Sequence, residues 1–237
     1  MGVVMERWCP TQPVLGVFLM IEQFANEVDA ALKGQSGKVF YSGRAAFAHP
    51  TDLYMLGVNP GGCPIAQATD TVSSSIAHVL NDLPDHWSAY RDESWKNKRP
   101  GTHGMQPRVL HMVRCLGRDP HEIPASNLIF LRTRAEADLR ETGQLANLCW
   151  PFHKAVIAAL QPKVILCFGR TVGEFVEARL KANSYVGQFT EANDRGWQST
   201  AYRTESGQIV VTVTHPSRAD WTNPVADPTP LVKAMLR

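Results

Sequence analysis

The sequence predicts an α/β fold: a three-layer αβα sandwich around a central, mostly parallel sheet of four strands. Three observations carry this. Four short apolar runs (residues 53–58, 127–131, 164–168 and 209–213) are each bounded by Gly, Pro, Asn or Thr, as buried strands are. Long stretches separate them, several with helical period, and strands that alternate with helices build parallel sheets covered on both faces. Finally, 237 residues with 44% hydrophobic content suffice for one sizeable core, so residues 1–237 read as a single domain.

In chain order, residues 14–32 come first. They place Leu15, Phe18, Leu19, Glu22, Ala25, Val28 and Leu32 at steps of three and four, which predicts a helix. Residues 53–58 are the first strand. Residues 108–116 carry helical period, residues 127–131 the second strand, and residues 152–160 helical period again. The third strand, 164–168, exits into Gly169-Arg170-Thr171, a tight turn that opens a helix over 171–180. Residues 209–213 are the last strand. Phe152 and Phe168 belong in the core.

Composition excludes several classes. Six Trp, nine Phe and five Tyr with 19% charged residues exclude a disordered chain. Cysteines stand at 9, 63, 115, 149 and 167 without any C-x-x-C, which excludes a zinc ribbon and argues against a disulfide scaffold. The apolar stretch 14–21 is too short to span a bilayer and lacks the basic flank of a secretory signal. A monomeric protein of the reducing cytoplasm, with no membrane partner, is expected. The net charge of +2 settles no partner, but residues 91–118 hold seven Lys/Arg against two acidic residues.

The chemistry-bearing residues cluster at strand exits, where α/β sheets form their ligand crevices. The first strand leads into Gly57-Val58-Asn59-Pro60-Gly61-Gly62, and the last into Thr214-His215-Pro216-Ser217-Arg218. Taken singly, each has a bland reading. Asn-Pro-Gly populates ordinary turns, a lone His at a strand end bonds backbone, Asn127 can cap a turn, and Cys149 is a small buried hydrophobe. Arg132, Arg134 and Arg140 alternating with Glu136, Asp138 and Glu141 read as a surface segment laced with salt pairs.

Taken together and in order, these segments resemble the uracil-DNA glycosylase superfamily, closest in motif type to its mismatch-specific and single-strand-selective monofunctional branches. Gly57-Val58-Asn59-Pro60-Gly61 is similar to the G-[IMV]-N-P-G loop that binds the attacking water. Ser126-Asn127-Leu128-Ile129 resembles the T-N-x-[VI] segment whose Asn reads uracil, and His215-Pro216-Ser217 resembles the H-P-S motif at the leaving base and the DNA. Cys149-Trp150-Pro151-Phe152, with residues 161–171, is similar to a C-x-P-F…P-K-x-I-x-x-x-G scaffold segment. The likeness runs over roughly two thirds of the chain.

The resemblance implies a uracil-DNA glycosylase-like fold and a monofunctional DNA glycosylase that hydrolyses the N-glycosidic bond of uracil or a related pyrimidine. That reaction builds an oxocarbenium-like sugar and pushes negative charge onto the departing base. Asn59 has no basic pKa, but its carbonyl oxygen orients a water. His215 hydrogen-bonds the developing oxyanion. Gly57, Val58, Pro60 and Gly61 line the base with Asn127, whose adjacent acceptor and donor match N3–H and O4 of uracil. Ser217 and Arg218 face the DNA. The base that stacks there must be flipped or already single-stranded. Candidates for the stacking aromatic are Trp87, Tyr90, Trp95 and His103, of which His103 is preferred.

The chain also departs from that pattern. Asn59 stands where the most active branch has an acid. The early C-x-x-C of the iron–sulfur branches is missing, so no metal and no cofactor are expected. No Lys falls in the motifs, so no lyase activity is expected. Two alternatives remain: a catalytically silent module that binds DNA or a modified base, and a small-molecule hydrolase built on Cys149 and His215.

Overall fold

Each of the four apolar runs contributes a strand in the computed structural model, which describes residues 20–237. They are β1 (Leu53–Gly57), β2 (Ala125–Asn127), β3 (Val164–Phe168) and, after a hairpin, β6 (Ile209–Val213). The four pair in parallel in the order β2-β1-β3-β6. β1 and β3 are buried at every position, which is why they read as unbroken apolar runs rather than alternating ones. β2 begins before the expected 127–131 run and ends at Asn127. The amides of Leu128 and Ile129 still donate to the carbonyls of Gly57 and Val58 at 2.8 and 2.9 Å, so the pairing extends into the loop.

The sheet has six strands among the described residues, not four. β4 (Ser184–Thr190) and β5 (Gln198–Arg203) form an antiparallel hairpin that continues the sheet past β6 in the order β6-β5-β4. No residue of β4 is buried, so the hairpin carries no apolar run to betray it. At the other edge, residues 37–40 run antiparallel to β2 and the segment after it, through isolated bridges from Phe40 to Ser126 in β2 and from Gly37 to Leu131 beyond it, covering backbone groups that an edge would leave open.

Seven α-helices complete the described residues. Of the expected 14–32 helix, residues 14–19 lie outside them. The remainder divides into α1 (Met20–Asn26) and α2 (Ala30–Lys33), because the Asp29 carboxylate accepts the Ala31 amide and starts a new helix. α3 (Val72–Asn81) starts at Thr71, whose hydroxyl accepts the Ser74 amide. α4 is Gln106–Cys115, α5 Thr142–Leu160, α6 Arg170–Leu180 and α7 Thr229–Leu236. α6 packs on β3 and β6, and α7 on β3 and β4. The arrangement is α/β with a mostly parallel sheet, compatible with three αβα layers. No helix among the described residues is long and apolar enough to cross a membrane.

Phe152 and Phe168 are fully buried, as expected. Phe152 meets Phe24, Phe40 and Phe130 edge to face, and Phe168 meets Trp221 at 5.4 Å. Cys149 is buried too, and burial pushes its thiol up to about 12. A thiol so held supplies no thiolate at neutral pH, which removes the basis for a Cys149–His215 hydrolase. Cys63, Cys115, Cys149 and Cys167 are all free, and Cys9 lies outside the described residues.

Candidate functional site

Parallel strands end on the same side, so the loops leaving β1, β2, β3 and β6 all gather at one edge of the sheet. Asn127 is the last residue of β2 and sits in register with Gly57 at the end of β1. Its side-chain oxygen lies where a Cβ on Gly57 would be; only glycine admits it. His215 follows β6, and its ring lies over Gly169, with Cβ and Cδ2 at 3.5 and 3.7 Å from the place of a Cβ there. Both side chains thus stand at the carboxyl ends of the parallel strands, Asn127 against Gly57 and His215 against Gly169. Three strand spacings separate β2 from β6, about 14 Å.

Asn127 is only 5% exposed, and its Nδ2 is buried without a hydrogen-bond partner. A buried unpaired donor costs about 1–3 kcal/mol, and a catalytic or ligand-binding role is one of the reasons native proteins keep one.

His215 is oriented by its own loop. The backbone N–H of Ser217 donates to Nδ1 at 3.1 Å, and the Ser217 hydroxyl lies 2.7 Å from the same nitrogen. An atom that accepts an amide hydrogen carries no proton, so the neutral ring bears its hydrogen on Nε2. Burial pushes the His215 pKa down to about 4; Glu136 opposes that and Arg218 adds to it. The ring is thus a neutral donor near pH 7. Beneath it, Trp221 donates to the Thr214 carbonyl at 3.1 Å and Ser199 accepts the Thr214 amide at 3.2 Å.

Asn59 is half-buried. Its Nδ2 faces three acceptors: the Pro60 and Leu131 carbonyls, both at 3.1 Å, and the Thr133 hydroxyl at 2.8 Å. The amide nitrogen must face those oxygens, which turns Oδ1 away from them. Val58 and Pro60 are buried beside it, whereas Gly61, Ser217 and Arg218 are exposed.

Several residues that organise this edge carried no motif. Arg132, Arg134 and Glu136 make no salt pair with one another. Arg132 donates to the Gly61 carbonyl at 2.7 Å, Arg134 to the Cys63 sulfur at 3.3 Å, and Glu136 accepts from the Thr171 hydroxyl. Residues 131–136 therefore run from the Asn59 loop to the turn beside His215; the segment lies at the surface as expected, but its charges bond to neighbouring loops rather than pairing with one another. A bond from the Ala66 backbone, with lesser ones from Arg134 and the Ile65 backbone, holds the Cys63 thiol below its usual range. His153, fully buried in α5, takes the Tyr54 hydroxyl at Nδ1 (2.9 Å) and gives Nε2–H to the Leu128 carbonyl (3.2 Å), bracing the backbone next to Asn127.

The aromatic interacting with Asn127 is Tyr41, which was not among the expected candidates. Burial raises its phenol pKa strongly, and the Asn127 side chain partly offsets that. Lys38, ion-paired with Glu93, sits 4.7 Å from the Tyr41 ring centroid and 5.2 Å from that of Trp87. Tyr90 and Trp95 pack behind, with ring centroids 5.9 Å apart. His103, on the loop before α4, is tied through its backbone to Gln106; no hydrogen bond joins it to Asn59, Asn127 or His215 among the described residues. Tyr41 sits in the short apolar stretch Val39-Phe40-Tyr41, which carries no motif and was not among the expected strands.

No family model matches the chain, and no curated protein matches it in sequence. A separate concavity of about 800 Å³ lies at the opposite, amino-terminal edge of the strands, lined by Arg44, His49, Asp52, His86 and Arg118 among others, and includes none of these residues. No group of three His, Cys, Asp or Glu side chains that could hold a metal occurs among the described residues.

Proposed function

We propose that this protein is a monofunctional DNA glycosylase of uracil-DNA glycosylase-like fold, excising uracil or a related pyrimidine from DNA. The observation that carries the reading is the buried Nδ2 of Asn127 without a hydrogen-bond partner, on a side chain whose oxygen packs against Gly57, at the same sheet edge as the neutral imidazole donor of His215. The strand order β2-β1-β3-β6 supports it by gathering three separate motifs at one edge.

An everted pyrimidine enters between Asn127 and His215. Asn127 donates from Nδ2 to O4 and accepts N3–H at Oδ1, while cytosine offers the reversed pattern there. As the glycosidic bond lengthens, negative charge gathers on the base, and Nε2–H of His215 donates to it. A donor aimed at developing charge is worth about 2.7–4 kcal/mol of barrier. Asn59 Oδ1 holds a water beneath the sugar without acting as a base; the water adds to the oxocarbenium carbon and its surplus proton passes to solvent, which later protonates the released base anion. With no acid in that position, leaving-group stabilisation supplies most of the acceleration, and turnover is modest.

The test is strand scission by alkali after incubation with oligonucleotides carrying uracil, 5-hydroxymethyluracil, xanthine, hypoxanthine or glucosylated cytosine, single-stranded and duplex. Abasic sites produced by the wild type, and lost in Asn59→Ala together with His215→Ala, are the expected result. Intact strands across the whole panel would overturn excision and leave a silent DNA- or base-binding module.

A further inference from the structure

The β4–β5 hairpin has no part in the proposed chemistry, yet its turn reaches the His-Pro-Ser loop. Arg195 donates from Nη1 to the carbonyl of Arg218 at 2.7 Å. Its Nη2 donates at 2.7 Å to Glu191, whose side chain is 1% exposed, and Asn193 donates to the same carboxylate oxygen at 2.8 Å. The guanidinium so anchored lies over the indole of Trp197, 4.4 Å from the ring centroid. Trp197 is nevertheless 41% exposed, and no other aromatic ring packs on it among the described residues. From α4, Arg108 donates to the Pro216 carbonyl, which ties the basic segment 91–118 to the same loop.

The indole sits on a turn with much of its surface open, and it is backed on one side by a cation held at two points. Such a ring is organised in advance for a flat partner, so little freedom is lost on contact. Cation-backed aromatics beside exposed arginines suit a nucleobase on the ring with its phosphate on the cation. Continuity with the His215 loop, and the excess of Lys/Arg on the segment anchored to it, favour nucleic acid over a protein surface. A base locked in a duplex keeps its own stacking neighbours and cannot lie on Trp197.

We propose that Trp197, backed by Arg195, is a stacking platform for an unpaired nucleotide flanking the everted base, with Arg218 facing the adjoining phosphate. The chain is thereby built for single-stranded or locally opened DNA. The inference rests on the glycosylase reading for the identity of that strand.

The test uses end-labelled oligothymidylate, which carries no scissile base, and a blunt duplex of equal length, each titrated with the full chain by fluorescence anisotropy. Trp197→Ala is expected to weaken single-strand binding about 5- to 150-fold, the usual effect of removing one stacking ring. Trp197→Phe should recover most of the affinity, and duplex binding should change less than about twofold. Unchanged single-strand affinity in Trp197→Ala, or an equal loss on the duplex, would overturn the proposal. Should Trp197→Ala fail to fold, indole emission decides. Quenching by oligothymidylate in the wild type but not in Trp197→Phe supports the platform, and equal quenching refutes it. Because no excision is read, a chain that stacks here and excises nothing keeps the platform and loses the glycosylase.

Discussion

Replacing Asn127 by Ala should separate stability from activity. In the free protein the Asn127 Nδ2 is a buried donor without a partner, and removing it returns about 1–3 kcal/mol. Against this stands a cavity of roughly 25 Å³ at about 24 cal/mol per Å³, about 0.6 kcal/mol. The sum is a gain of about 0.4–2.4 kcal/mol, so Tm should rise by a few degrees, at about 2–4 °C per kcal/mol. Excision should collapse. Losing two hydrogen bonds to the base in a buried site costs about 3–5 kcal/mol, or about 150- to 4,000-fold in kcat/KM on a uracil substrate. Calorimetry and single-turnover excision on the same preparation read both quantities. A fall in stability of several kcal/mol, or a variant as active as the wild type, would refute the claim that Asn127 is held in reserve for a ligand.

The same geometry makes three further outcomes testable. Gly57→Ala puts a methyl group against the Asn127 side-chain oxygen; excision should drop by about 100-fold or more, a loss like that of a missing transition-state donor, while circular dichroism still reports a folded chain. Thr133→Val removes the shortest of the three acceptors holding Asn59, and about 1 kcal/mol of lost orientation should lower kcat roughly fivefold with KM unchanged. The third concerns pH: His153 and His215 both have pKa values pushed down to about 4, mainly by burial. The unfolded chain therefore takes up these protons first, near pH 6.5. Stability from both is complete above pH 6.5, declines as pH falls toward 4 and levels off below. For fully buried His153 the loss is about 3 kcal/mol, and urea titrations of wild type and His153→Phe across that window should show a shallower slope in the variant.

How much of this was legible in the sequence depended on what each residue has to do. Residues 164–168 and 209–213 form strands with the bounds read from sequence, because strands buried on both faces leave continuous apolar runs. The turn at Gly169 and the helix behind it were equally plain. Asn59, Asn127 and His215 stood out as three motifs in order, and the parallel topology carries all three to one edge. The hairpin Ser184–Arg203 was hidden, since β4 buries no residue. Tyr41 and His153 were hidden for a different reason: each acts through a partner distant in sequence, Asn127 and Leu128, which neither period nor local motif records. Arg132 and Arg134 looked like ordinary surface charge until the loop brought them onto Gly61 and Cys63.

The Ser217 amide at Nδ1 of His215 has one more consequence. With that nitrogen committed, the imidazole has no vacant basic site through which to ferry a hydrogen ion and reset itself. On the proposed reaction the pyrimidine departs as an anion and is neutralised only by bulk solvent after release. Bond cleavage should then proceed at nearly the same rate in D₂O as in H₂O, and leaving groups of greater acidity should be expelled faster in direct proportion to their stability as anions.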